Sequence, residues 1–242
     1  MVRRPPVTPR GVFIALEGGD GAGKSTQLEL LAEALRLRGV VDAPGRPELV
    51  LTREPGGTEV GAQIRQALLH GGDVAPLTEA LLYAADRAQH VAQVVGPALQ
   101  RGAVVVSDRY LDSSIAYQVE GRGLTEAQVR GMNAYATGGL LPHLTVLLDI
   151  DPDEGSRRRA AGGGPPDRLE RAGAAFHRRV NARYRSLMAA NPDRYAVVDA
   201  AQPPEAVHAQ VLASVMAVLA ERGLADLPPS ARTGKHVAGV GQ

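Results

Sequence analysis

Cysteine and tryptophan are both absent from the 242 residues, and aromatic residues make up only 3% of them. Without cysteine there is no disulfide, no thiolate metal site and no thiol nucleophile. That composition is compatible with a reducing cytosol, and a cytoplasmic location is expected. No stretch approaches the roughly 18 consecutive apolar residues that a membrane span requires. Charge of one sign is also lacking: 27 basic against 26 acidic residues leave a net charge of +1, so no bulk field points to nucleic acid or to an acidic membrane. The opening MVRRPPVTPR is basic but has no apolar segment before Gly11, which excludes a secretory signal there; its three prolines predict a disordered arm over 1–10. What remains is a chain with an ordinary hydrophobic fraction of 44%, enough for a sizeable core.

The most informative stretch is VFIALEGGDGAGKST, residues 12–26. The apolar run 12–16 predicts a buried strand, glycines follow, and a helix opens at Lys24. The spacing from Gly18 through Gly23-Lys24-Ser25 fits G-x-x-x-x-G-K-[ST], the phosphate-binding loop. Glycines let backbone N–H groups turn toward phosphate oxygens, and the helix N-terminus adds a favourable dipole. Residues Gly18, Gly19, Asp20, Gly21, Ala22, Gly23, Lys24, Ser25 and Thr26 are therefore the expected ATP-binding loop. Lys24 can reach the β- and γ-phosphates, and the Ser25 hydroxyl can ligate Mg²⁺. Asp20 fits either a site residue or a simple turn former.

Further along, apolar strands are predicted at 48–52, 103–107, 144–150 and 195–199. Helices alternate with them over 24–38, 58–70, 77–101 (with Pro97 kinking the last turn), 113–118, 125–137, 152–161, 170–190 and 204–222. Five strands alternating with helices predict an α/β P-loop NTPase fold: a five-stranded parallel sheet, helices on both faces, and functional residues at the strand C-termini. A single domain is expected over 11–222, followed by a flexible tail over 223–242. The arginines at 157–159 beside the Gly/Pro run 162–166 fit a short mobile lid over about 155–170, or else a solvated helix face.

Four more motifs make a family resemblance. Residues 106–118, VSDRYLDSSIAYQ, resemble the D-R-[aromatic or His]-x-x-S-[small]-x-A-[F/Y]-[Q/N/S] signature of thymidylate kinases. Thr52-Arg53-Glu54-Pro55-Gly56-Gly57-Thr58 resembles the T-R-E-P-G-G-T of that family, Tyr83 to Arg87 its F-x-A-x-R helix, and Asp167 to Glu170 its D-R-x-E lid exit. They occur in the family's order over about residues 11–220.

The resemblance implies ATP-dependent phosphorylation of dTMP to dTDP with Mg²⁺, by in-line transfer without a covalent intermediate. The alternatives are a related P-loop kinase for another nucleotide or nucleoside, or a non-catalytic nucleotide-binding module. By resemblance, Arg109 bridges the acceptor phosphate and the transferred group, and Arg53 holds the acceptor monophosphate. Tyr83 stacks on thymine (a core aromatic is the other reading), Arg87 binds thymine O4, and Ser114 and Gln118 lie near the base. Tyr117 crowds the sugar 2′ position, and Asp20 lies near acceptor or metal. Asp108 and Glu170 join Ser25 as candidate metal residues. Gly21 stands where some members carry a P-loop arginine, which assigns the catalytic charge to the lid, with Arg158 favoured by counting from Gly155. Residues 199–203, after the fifth strand, are where adenine would stack. The family is homodimeric, with the helix over 77–101 as the candidate interface. The expected partners are thus dTMP, ATP and a second copy of the chain, with no nucleic acid and no membrane.

Overall fold

A computed structural model describes residues 11–163 and 167–224; the expected arm over 1–10, residues 164–166 of the lid and the tail from 225 onward lie outside the described residues. Five strands, β1 (Val12–Gly18), β2 (Leu49–Arg53), β3 (Val104–Asp108), β4 (Leu144–Asp149) and β5 (Tyr195–Asp199), form one sheet in the order β2-β3-β1-β4-β5. All four pairings are parallel, with β1 central between β3 (Ile14 opposite Val106) and β4 (Ile14 opposite Leu144).

A central parallel strand is covered on both faces, which explains why every residue of β1 is buried and why Val12 to Leu16 form a continuous apolar run. Side-chain alternation then divides the core. Val12, Ile14 and Leu16 pack with α1 (Lys24–Leu37) and α9 (Pro204–Glu221), whereas Phe13 and Ala15 pack on the opposite face. That opposite face is covered by α5 (Leu111–Arg122) and α8 (Ala174–Ala190), among other elements. Glu17 falls on the same face by the same alternation. A charge there must find donors inside the protein.

The helices differ from expectation in three places. The segment expected as one helix over 77–101 is α3 (Pro76–His90), a π-helical turn (Val91–Val95) and α4 (Gly96–Gln100). The ladder widens just before Pro97, where the Gly96 N–H bonds to the Val91 carbonyl; proline has no N–H to continue an α-helical ladder. The segment expected over 170–190 is split by Gly173 (φ 85) into a 3₁₀ turn (Glu170–Ala172) and α8. The short helix expected over 113–118 runs from Leu111 to Arg122. The remaining helices are α2 (Glu59–His70), α6 (Glu126–Thr137), whose Thr125 and Gln128 form a capping box, and α7 (Pro152–Ala161), capped by the Asp151 carboxylate.

Candidate active site

The C-terminal ends of β1, β2 and β3 open into one cleft of about 690 Å³. Its floor is the loop after β1. Gly23 occupies the N-cap of α1 in the left-handed region (φ 87) with no side-chain cap, so the first-turn N–H groups have no intrahelical partner, and Gly23 to Thr26 line the cleft. Gly21 (φ 77) serves a second purpose. A Cβ there would overlap the backbone of Gly155 in α7, and one at Gly155 would meet the Asp20 carbonyl 2.5 Å away. Loop and lid helix are thus packed backbone to backbone through two glycines. Position 21 therefore has no room for a side chain of any kind.

Lys24 Nζ donates to the carbonyls of Gly18 (3.1 Å) and Gly19 (2.8 Å). Burial, with the nearby Arg109 charge, pushes its pKa down to about 8 against the opposing pull of Asp108, Asp20 and Glu17. Asp20 shows the opposite balance. Burial would raise its carboxyl, but Arg109 and Lys24 hold it below the usual carboxylate range.

Arg109, the first residue after β3, lies in the left-handed region with φ 71, and its guanidinium reaches back across the floor. Its Nη2 donates to Asp20 Oδ1 at 2.5 Å and Nη1 to the Gly18 carbonyl and Ser113 Oγ, both at 3.1 Å. Tyr117 caps the same group: its ring lies 5.3 Å beneath the guanidinium carbon and its hydroxyl donates to Asp20 Oδ2 at 3.2 Å. Lys24, Asp20, Arg109 and Tyr117 therefore come together as one charge cluster.

On the acceptor side, Arg53 is exposed at the end of β2 and makes no ion pair among the described residues, so its guanidinium is available to an anion. Tyr83 lines the cleft and is also part of an apolar cluster with Tyr117 and Phe176. Gln118 lines the cleft too; its amide N–H donates to Glu79, while its Oε1 is buried without a partner among the described residues.

Three further cleft residues make contacts within the protein that the sequence did not show. Arg87 is almost wholly buried, with four of its N–H groups engaged: with Glu54 Oε2 (2.7 Å), Ser114 Oγ (2.8 Å), Asn133 Oδ1 and the Tyr110 carbonyl (3.0 Å). It borders the cleft with one N–H left over, and Ser114 serves it as an acceptor. Arg158 lines the cleft and runs along the β5–α9 connection, donating to the carbonyls of Ala200 (2.7 Å) and Ala201 (3.0 Å) and to Glu154. Glu170 accepts from Arg159 Nε (2.5 Å) and from the Asp167 N–H (2.8 Å), closing the lid exit instead of standing beside Ser25. The other two metal candidates do meet: Ser25 Oγ donates to Asp108 Oδ2 at 3.2 Å, and Asp108 Oδ1 is buried without a partner among the described residues.

Glu17, Glu54 and Tyr184 also shape the site, although none is a candidate site residue from the sequence. Glu54 sits inside a motif whose arginine drew attention, yet its carboxylate holds both Arg87 and His90 Nδ1 (2.7 Å). For Glu17 a signal existed: a lone acid ending an otherwise apolar strand.

The thymidylate kinase family profile matches residues 16–211. The chain is 52% identical over 211 residues to the thymidylate kinase of Clavibacter sepedonicus, covering 87% of this chain and 97% of that one. It is 53% identical over 207 residues to that of Leifsonia xyli subsp. xyli, covering 85% and 95%. The crystal structure of thymidylate kinase from Ehrlichia chaffeensis superposes with a TM-score of 0.68 at 30% identity, over 85% of this chain and 98% of that one. The chain belongs to the thymidylate kinase family.

Proposed function

We propose that this chain transfers the γ-phosphoryl group of ATP to dTMP. An oxygen of the dTMP phosphate attacks the γ-phosphorus in line, the bond to the bridging oxygen of ADP breaks, and dTDP and ADP leave. The acceptor is already an anionic oxygen, so no general base is required. Catalysis then consists of alignment and charge neutralisation. The observation that carries the reading is that a phosphate-binding loop and an arginine-lined acceptor pocket open into one cleft, with Arg109 between them.

In this reading Lys24 and the N–H groups of the loop bind the β- and γ-phosphates, and Arg53 binds the acceptor phosphate. Arg109 neutralises charge developing between the two, anchored in advance by Asp20. Tyr83 stacks on the base, while Gln118 Oε1 and the remaining Arg87 N–H face its polar edge. Tyr117 fills the space a 2′-hydroxyl would need. Arg158, lying along the Ala200–Ala201 backbone, belongs with the adenine end of the cleft, which leaves Arg159 as the lid arginine nearer the phosphates.

Ser25 and Asp108 fit a Mg²⁺ site: a hydroxyl beside a carboxylate whose second oxygen has no partner among the described residues. Bound there, Mg²⁺ would neutralise triphosphate charge. The reading extends to a homodimer, for which Leu77 and Leu81, about half exposed on α3, offer an apolar face; light scattering coupled to gel filtration tests it.

The decisive experiment measures ADP release with ATP and Mg²⁺ against a panel of nucleoside monophosphates plus thymidine. Turnover highest with dTMP is expected. Equal turnover with thymidine, or none with any monophosphate, would overturn the assignment.

A further inference from the structure

Arg109 has an unusual backbone. A non-glycine residue with a φ of 71 costs about 1–2 kcal/mol and persists only where its surroundings fix it. The surroundings here are hydrogen bonds on both sides of the residue. Its own N–H donates to the Leu16 carbonyl (2.9 Å), and its carbonyl accepts from Ser107 Oγ (2.8 Å). The next N–H, that of Tyr110, and the N–H of Ser113 both donate to Glu17 Oε1, at 2.9 and 3.1 Å.

Glu17 has no solvent exposure at all, and its second oxygen is satisfied by two hydroxyls, Ser113 Oγ at 2.6 Å and Tyr184 Oη at 3.0 Å. Those two hydroxyls also face the Arg109 guanidinium, with Nη1 at 3.1 Å from Ser113 Oγ and 3.4 Å from Tyr184 Oη. The arginine can only donate. The hydroxyl lone pairs therefore turn toward Arg109, and the two hydroxyl hydrogens serve Glu17 Oε2 and the 2.9 Å hydrogen bond between Ser113 Oγ and Tyr184 Oη. A connected set of hydrogen bonds thus runs from guanidinium through hydroxyls to carboxylate. Tyr184 belongs to α8, which follows directly on the lid exit, so the helix beyond the lid contributes to the posture of an arginine at the C-terminal end of β3.

From this we infer that Tyr184, acting with Glu17, is a positioning residue that sets the aim of Arg109. Neither side chain lines the cleft, so each works through Arg109 and not on the substrate. The inference rests on the proposed role of Arg109 in phosphoryl transfer, but the posture it describes exists without substrate.

Tyr184→Phe is the informative variant, because it removes one oxygen and keeps a ring that is buried against Tyr117 (6.5 Å between centroids). The expected result is a fall in kcat of about 10- to 100-fold with the KM for ATP within about 2-fold, since misplacing a charge group slows transfer more than binding. In an Arg109→Lys background the same substitution should cost less than about 3-fold, because the residue it positions is gone. A kcat for Tyr184→Phe equal to that of the unaltered protein, or equal fold-losses in both backgrounds, would overturn the inference. A second measurement is independent of turnover. Nitrogen-15 NMR of the substrate-free protein should show restricted rotation of the Arg109 guanidinium, released in Tyr184→Phe and in Glu17→Gln. Unchanged restriction in both variants would overturn the positioning role whatever the assay gives, whereas released rotation in a protein inactive on dTMP would instead refute the proposed reaction.

Discussion

Lys24 is the place where nucleotide binding should be visible as proton uptake. The free site holds its ammonium pKa down at about 8, through burial and the neighbouring Arg109. A triphosphate brought against Nζ adds negative charge beside a group that is short of it, so its pKa must rise back toward the ordinary lysine range. At about pH 8 roughly half of the free molecules lack the proton, so binding should take up about 0.5 proton per site, falling to about 0.1 near pH 7 and rising to about 0.9 near pH 9. The γ-phosphate itself is fully ionised at the upper two values. Glu17, pushed up to about 7 by burial and by Asp112, is already mostly ionised at pH 8 and adds little. Titration calorimetry with a non-hydrolysable ATP analogue, in buffers of different ionisation enthalpy, reads the proton number directly as a slope. Lys24→Met should flatten that slope. No buffer dependence near pH 8, or an undiminished slope in Lys24→Met, would refute the reasoning. The same pKa fixes a stability trend: the folded state binds the Lys24 proton less tightly than the unfolded chain, so this group's contribution to stability improves as pH rises from about 8 through 10.5.

Arg109→Ala should lower kcat by on the order of 10³-fold, within the range of arginines that neutralise transferring phosphoryl groups, while ATP affinity measured by titration changes less than about 3-fold. Tyr117→Ala should narrow the preference for dTMP over its 2′-hydroxy counterpart by at least about 10-fold in kcat/KM, with thermal denaturation run in parallel because a buried aromatic is lost. Arg87→Lys replaces a forked donor holding four acceptors by a single nitrogen; the cost is on the order of 3 kcal/mol, a fall in Tm of about 10 °C, with a raised KM for dTMP. Asp108→Asn should raise the Mg²⁺ concentration needed for half-maximal turnover and leave the dTMP KM unchanged.

The parts of this protein that were legible in its sequence are those written in local patterns. All five strands are apolar runs because each buries at least part of its length in a parallel sheet, and the expected ranges fall within a residue or two of the observed ones. The phosphate-binding loop was legible because its glycines answer to backbone geometry at fixed spacing. What was not legible depends on contacts between distant segments. Arg158 looked like a phosphate lid residue by counting along the chain, but it finds its partners 42 and 43 residues on, at Ala200 and Ala201. The interruption of the helix over 77–101 was placed at Pro97 by its chemistry, yet the ladder changes in the preceding turn. Glu170 is a candidate metal residue by resemblance, and its ion pair with Arg159 depends on how the lid exit folds back.

The same long-range logic explains why the charges of the cleft are not simply presented to solvent. Arg109 leans on Asp20 and Arg87 on Glu54, and each pair comes from segments far apart in the chain. An arginine free to reorient would have to be ordered at the moment of reaction, losing side-chain entropy when charge develops. An arginine already held by a carboxylate has lost that freedom on folding, and the low dielectric around it strengthens its remaining field. The two pairs differ in the way their tasks require. Arg87 and Glu54 are both nearly inaccessible, which suits a fixed template beside a base. Arg109 and Asp20 retain 18% and 26% side-chain exposure, so the guanidinium keeps an open side for incoming phosphate oxygens. Asp20 thus limits the charge that Arg109 can offer while fixing where it is offered. In the proposed reading both substrates are polyanions and the site would tolerate that compromise, because the backbone donors of the loop, Lys24 and Arg53 would supply the attraction and leave Arg109 to supply direction.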